Sequence, residues 1–243
     1  MLDERMDAAL ALLGAGAAYD DTAGSRSAAL AASALGVDGI CAGVGVGAQG
    51  AVLAWGRETV AVTVEGLEFT LGQGPSRDAV LACVPVLVPD IDAPDQAARW
   101  PAFASCVAGF PIRAVFAFPL NIGAIGVGVL TAYRAQPGPL TDGQFGDALT
   151  LADAVTLLLV HQAFGEPDSV PAAGPERGPG WERPSTYRDQ VHQATGMISM
   201  QMQVSLTEAL VRLRAHAYTE DRFIGEVAAD VLARRLHFTP GDA

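Results

Sequence analysis

The chain has 243 residues, half of them hydrophobic and 17% charged, with a net charge of −12 at pH 7. That length suits one medium domain plus a small one, the apolar share excludes wholesale disorder, and the acidity excludes a general nucleic-acid binder, which needs clustered Lys and Arg. No window reaches the roughly 18 consecutive apolar residues of a membrane helix, and Asp3, Glu4 and Asp7 stand where a secretory signal would be basic, so a cytoplasmic location is expected.

Asp3–Ala18 and Ser25–Leu35 are rich in Ala and Leu at helical spacing, and Gly36 stops the second. Residues 1–20 are read as an N-terminal helix and 21–164 as the main domain. Gly39–Gly47, Ala51–Trp55 and Thr59–Val64 are short β-compatible runs separated by Gly and polar turns. A helix over Ser76–Cys83, a strand at Val86–Val88 and a helix around Asp95–Ala108 come next. Ala114–Pro119 and Ala124–Ala132 read as two further strands around the Asn121–Gly123 turn. Thr141 and Gln144 have capping-box spacing and open a long helix reaching Val160. The fold class of this part is α+β, an antiparallel sheet with helices packed on one face.

Residues 165–184 hold five prolines and four glycines without apolar periodicity and read as a linker. Beyond it, 185–240 carry helical patterns alone. Ser185–Met202 places Tyr187, Val191, Ala194 and Ile198 on one stripe. Ser205 and Glu208 form a second capping box before Leu206, Ala209, Leu210, Leu213 and Ala217. Thr219 caps a third helix whose buried face is Phe223, Val227, Ala228, Val231 and Leu232, with Arg234 and Arg235 in its last turn. Three short amphipathic helices can share one core. The acidity is uneven: residues 1–180 hold 8 Arg against 19 acidic residues, whereas residues 181–243 hold 7 against 8.

Cys41, Cys83 and Cys106 lack CxxC spacing and a neighbouring histidine, and are read as reduced core residues with no metal site. The Gly72–Pro75 loop lacks the Gly-Lys-Ser/Thr ending of a P-loop, which argues against nucleotide hydrolysis.

LGQGPSRDAVLACVPVLVPDI (Leu71–Ile91), Trp100–Phe103, Pro119–Leu120 and IGVGVLTAY together resemble the second half of a GAF domain. VHQATGMISMQMQVSLTEALVRLRAHAYTEDRFIGEVAADVLARRL (Val191–Leu236) resembles an ANTAR domain. The resemblance implies an α+β GAF sensor followed by an all-α three-helix output domain. It also implies an RNA-binding transcription antitermination regulator, a homodimer that grips RNA hairpins in leader transcripts under control of a ligand or partner at the GAF domain. No cofactor and no catalysis are expected. A GAF methionine sulfoxide reductase would carry a cysteine where this chain has Ser76.

The family's glutamine, alanine, basic residue and glycine map onto Gln193, Ala194, Thr195 and Gly196, so Thr195 stands at the basic position. Gln193, Thr195 and Gly196 are candidate RNA contacts. Arg188, Arg212, Arg214, Arg234 and Arg235 are candidate phosphate partners, and His216, with Tyr218, a candidate for stacking on loop bases. The GAF resemblance makes Trp55, Phe69, Ser76, Cys83, Trp100, Phe103 and Phe116 candidate pocket liners, with plain core as the alternative for each. The competing functional reading is a dimeric sensor whose C-terminal helices bind protein or DNA.

Overall fold

The computed structural model describes residues 4–14, 21–44, 52–56, 59–164, 182–220 and 222–239. The chain divides into two compact units, one of Met1–Phe69 with Gln73–Val170 and one of Pro171–Ala243 with Thr70–Gly72.

The first unit opens with α1 (Glu4–Gly14) and α2 (Asp21–Leu35). Met6, Ala9 and Leu13, spaced by three and four, are the buried stripe of α1, and Gly36 at φ 59 follows the last turn of α2. Strands β1 (Gly39–Val44) and β2 (Val52–Trp55) come next. The β-branched run at 59–64 predicts a strand, but the chain is helical there, as α3 (Thr59–Leu71). Val64 and Glu68, four residues apart, are both buried, and the helix runs for thirteen residues. Tertiary burial outweighs the χ1 preference of Val and Thr.

α4 (Pro75–Ala82) and β3 (Val86–Val88) agree with the sequence reading. The single helix expected over Asp95–Ala108 is two, α5 (Pro94–Arg99) and α6 (Pro101–Val107). Pro101 disfavours helical backbone at the residue before it, and Trp100 sits at φ −132, ψ 68. The hairpin of β4 (Ala114–Ile122) and β5 (Ile125–Arg134) turns at Gly123, φ 60. α7 (Asp142–Phe164) closes the unit with a complete capping box. Gln144 N–H donates to Thr141 Oγ1 at 3.2 Å and Thr141 N–H donates to Gln144 Oε1 at 2.9 Å.

The five strands are antiparallel in the order β2-β1-β5-β4-β3. Side chains alternate across the sheet. Phe116, Phe118, Leu130 and Ala132 share one core with α1, α2 and α7, while Thr131 points to the other face and bonds α4 through Ser76. Helices therefore cover both faces, not one. The residues of β4 from Ala114 to Phe118 are all buried, which is how a strand reads when neither face meets water. Arg134 ties this layer together, donating to Gly36 O at 2.6 Å, Leu35 O at 3.2 Å and Gln144 Oε1 at 3.3 Å. It thereby satisfies carbonyls that α2 leaves open at its end.

One stretch of α7, Asp142–His161, has the length and apolarity of a membrane span, with mean hydropathy 1.3. Its Ala148, Leu151, Ala152, Val155 and Leu159 lie in the core against the sheet.

The second unit contains α8 (Glu182–Met202), α9 (Leu206–Thr219) and α10 (Ile224–Leu232). α8 begins inside the segment read as linker, with Pro184 in its first turn, where a missing N–H costs nothing. Val191, Ala194 and Ile198 meet Ala209, Leu213 and Ala217 and the α10 residues Ile224, Val227, Ala228 and Val231 in the common core that the spacing implies. Ser205 caps α9 by accepting from Glu208 N–H at 3.2 Å. The Glu208 carboxylate turns to Arg212 instead, so half of the expected box forms.

Thr219 caps nothing. It ends α9, donating to Ala215 O and His216 O, and Phe223 precedes α10 in its place. Leu206 and Phe223, expected to be buried, are 59% and 47% exposed because each falls at the edge of its helix. Arg234 and Arg235 follow α10 instead of lying in its last turn.

Candidate functional site

In the first unit the candidate pocket residues do not converge. Trp55 and Phe116 belong to the core shared with α1, α2 and α7, so they lie across the sheet from Ser76 and are not liners of one pocket with it. Phe69, Trp100 and Phe103 are buried. Cys83 is exposed at the end of α4 with φ 55 and Cys106 is partly exposed, so of the three cysteines read as core Cys41 alone is buried.

Ser76 sits in a buried polar cluster. It is 7% exposed, and Glu68 on α3 is 5% exposed. Ser76 Oγ donates to Glu68 Oε1 at 3.1 Å and lies 2.9 Å from Thr131 Oγ1. The N–H groups of Ser76 and Arg77 donate to the two Glu68 carboxyl oxygens, each at 3.3 Å. These are open donors in the first turn of α4, so Glu68 caps that helix from outside.

Burial dominates its titration. It pushes the Glu68 carboxyl up to about 8, with the neighbouring Glu65 charge acting the same way and the bonds from Ser76 and Arg77 opposing it. Gly74 makes room for this side chain. Its φ is 145, and a Cβ there would come within 2.5 Å of Glu68 Cγ. Sequence reading missed Glu68; the signal was an acid flanked by Leu67 and Phe69.

A second clamp fixes the other side of α4. Asp78 Oδ2 accepts from Arg99 Nη2 at 2.7 Å and from the indole N–H of the buried Trp100 at 3.2 Å. The Arg99 guanidinium lies 4.4 Å from the Trp100 ring centroid. Ser76 and Asp78, two residues apart, thus pin α4 to the sheet and to the α5–α6 corner. The two sets of bonds position this helix.

In the second unit the RNA-contact candidates separate into groups. Arg188 is on α8, with its side chain outside the described residues. Gln193 is exposed. Thr195 is 5% exposed and donates to Val191 O at 2.6 Å, so its side chain faces the helical core. Gly196 is half-buried, and a Cβ there would meet nothing within 4 Å. Two positions apart on a helix turns the side chain by about 200°, which sets Arg212 and Arg214 on opposite flanks of α9.

Arg212 and His216, one turn apart, share an open groove of about 480 Å³ with Val211, Ala215 and Phe238. Arg212 is held by Glu208 at 2.9 Å, and His216 meets the Phe238 ring edge-on at 5.4 Å. The tail is pinned there: Phe238 N–H donates to Gln201 Oε1 at 3.2 Å, and Gln201 Nε2 lies 3.2 Å from His237 Nδ1. Arg235 pairs with Asp230 at 2.6 Å, next to Arg222 on the same carboxylate at 2.7 Å. Arg234 stands beside it, exposed and at φ 57. Phe238 was missed because its role depends on the tail folding back past α10.

No family model matches the sequence, and no curated protein matches it. Among solved structures the chain is similar to the GAF domain of an Acinetobacter phosphoenolpyruvate-protein phosphotransferase, at 13% identity over 67% of this chain and 97% of that one, TM-score 0.44. It is also similar to the GAF domain of a phosphoenolpyruvate-protein phosphotransferase from Coxiella burnetii, at 13% identity over 65% and 95%, TM-score 0.47. A third is the free methionine-R-sulfoxide reductase from Neisseria meningitidis in complex with its substrate, at 19% identity over 67% and 95%, TM-score 0.45. No activity, ligand or partner follows from likenesses at this level.

Proposed function

We propose that the chain is a sensor–effector regulator: the sheet unit, GAF-like, receives a signal, and the α8–α10 unit, ANTAR-like, binds looped leader RNA so that a terminator hairpin does not form. The observation that carries the reading is the α9 groove, where the Arg212 guanidinium and the His216 imidazole border one open apolar floor and the buried Phe238 ring backs the imidazole. Looped RNA is recognised by such a set, bases stacking on rings while cations meet the backbone.

The Glu208–Arg212 pair does not oppose this. An exposed i,i+4 ion pair contributes about 0.3–0.5 kcal/mol, less than the 1.5–3 kcal/mol or so of a charge-assisted bond such as a phosphate would offer.

The test is retention of two-hairpin leader RNAs by the full chain and by single variants. Arg212→Ala is expected to lose about tenfold in affinity, a contact of about 1.4 kcal/mol, and Arg214→Ala, on the other flank, markedly less. Retention of no RNA above background, or equal retention by wild type and Arg212→Ala, would overturn the reading.

A further inference from the structure

Three fixed points steer the chain beyond α10 back to the α9 groove. The first is the end of α10 itself. Arg234 turns there at φ 57, and the N–H groups of Arg235 and Leu236 both donate to Asp230 O, at 2.8 and 3.2 Å, which satisfies a carbonyl that the helix leaves open. The second is the Asp230 carboxylate, which holds Arg235 at 2.6 Å and Arg222 at 2.7 Å. The third is Gln201, in the last turn of α8. The turn after it is closed twice, by Val204 N–H donating to Ser199 O at 3.2 Å and by Ser199 Oγ donating to Val204 O at 2.7 Å.

The Gln201 amide admits one orientation. A backbone N–H can only donate, so the amide oxygen faces Phe238 N, at 3.2 Å, and the amide nitrogen is left to donate to His237 Nδ1, also at 3.2 Å. One side chain on α8 thereby binds two consecutive residues of the tail. What this clasp seats is Phe238. His237 and Thr239 on either side are exposed, whereas Phe238 is 5% exposed, so the tail dips inward at that residue and brings its ring edge-on to His216 at 5.4 Å. His216 is half-buried and borders the groove. An imidazole packed against a fixed ring has fewer rotamers open to it, and loses less freedom when a base stacks on it.

We propose that Gln201 and Phe238 are positioning residues for recognition at the α9 groove: Gln201 clasps the tail, and the Phe238 ring holds the His216 imidazole ready for an unpaired base. The proposal rests on the RNA reading above and adds to it two residues that need touch no RNA. Arg235, a candidate phosphate partner by sequence, has a different part here, as the anchor from which the tail starts.

The test combines nuclear magnetic resonance of the full chain with RNA retention. The chain has four histidines, few enough for their ring signals to be assigned by replacing each in turn. Gln201→Ala, which leaves the core untouched, and Phe238→Leu, which keeps an apolar side chain but removes the ring, are both expected to move the His216 ring signals. Both should weaken retention of two-hairpin RNA by about tenfold while the circular dichroism stays that of the wild type. Gln201→Glu offers a carboxylate that still accepts from Phe238 N–H and can accept from His237, so it should restore the His216 signals and most of the retention. His216 signals that do not move in Gln201→Ala, signals that move while RNA retention stays undiminished, or a Gln201→Glu variant no better than Gln201→Ala would each overturn the proposal. Wild type that retains no RNA would overturn the RNA reading instead, and the His216 signals would then decide the clasp by themselves.

Discussion

Ser76 Oγ lies 3.1 Å from Glu68 Oε1, and the same carboxyl accepts from two backbone N–H groups at the start of α4. A buried acid thus closes a helix end that the helix itself leaves open. The contact joins α3 to α4, and through Thr131 it reaches β5.

The first prediction is a pH dependence of stability in the sheet unit. Folding raises the Glu68 carboxyl from 4.5 to about 8, so between those values the folded state holds a proton that the unfolded chain releases. Its contribution is therefore fully present below about pH 4.5 and is lost as pH rises through about 8, with a limiting slope of about 1.4 kcal/mol per pH unit. Urea unfolding followed by circular dichroism should show Glu68→Gln with a flatter profile than wild type and a relative gain at alkaline pH. Parallel profiles for the two proteins would show that this group carries its charge without penalty.

The second prediction concerns the other clamp on α4. Asp78→Ala leaves the indole N–H of Trp100, 2% exposed, without its acceptor, an orphaned donor that costs about 1–3 kcal/mol. Asp78→Asn keeps an acceptor and gives up the charge paired with Arg99, which is half-exposed, so its cost should stay below about 1 kcal/mol. Denaturant midpoints of the two variants measure the difference. Equal losses would mean that the Arg99 charge, not the Trp100 bond, holds the corner.

The helix that ends at Gly36 and the strands that end at Gly56 and Gly123 were legible because glycine at positive φ marks where each run ends. Both capping boxes were legible at their N-caps, since Thr141 and Ser205 act within four residues of themselves. The helix at 59–71 was not, because a run of Val and Thr favours strand until its burial partners are known. Glu68 escaped notice for a related reason: the donors to its carboxyl all come from α4, which meets α3 only in the fold. Thr195 was misread by analogy. Its place in the motif suggested a surface contact, whereas its four-residue offset from Val191, itself buried, already put it beside the apolar stripe.

A third prediction follows from that correction. Among the described residues the Thr195 hydroxyl bonds the Val191 carbonyl of its own helix, so Thr195→Val should change stability by less than about 1 kcal/mol and leave RNA retention untouched. Thr195→Arg forces a cation into a site 5% exposed and should cost about 3 kcal/mol or more. Thermal unfolding of the helical unit reads the two effects. Loss of RNA binding by a well-folded Thr195→Val variant would place this side chain at the interface after all.

The fourth prediction separates folding from recognition at Gly196. Glycine in the interior of α8 destabilises the helix by about 0.5–1 kcal/mol relative to alanine, and among the described residues no atom beyond its own helix backbone lies within 4 Å of the position a Cβ would take. Packing therefore gives no reason for glycine there. Gly196→Ala should raise the melting temperature of the helical unit, by roughly 2–8 °C for a domain of this size. If the open backbone at this position is where an RNA loop approaches, the added methyl group should at the same time weaken retention of two-hairpin RNA by about tenfold, or 1.4 kcal/mol. Opposite signs in the two measurements are what a contact role requires, since a merely structural glycine would lose binding only by losing fold. A variant that melts higher and still binds RNA as the wild type does would remove Gly196 from the interface and leave the α9 groove to carry recognition alone.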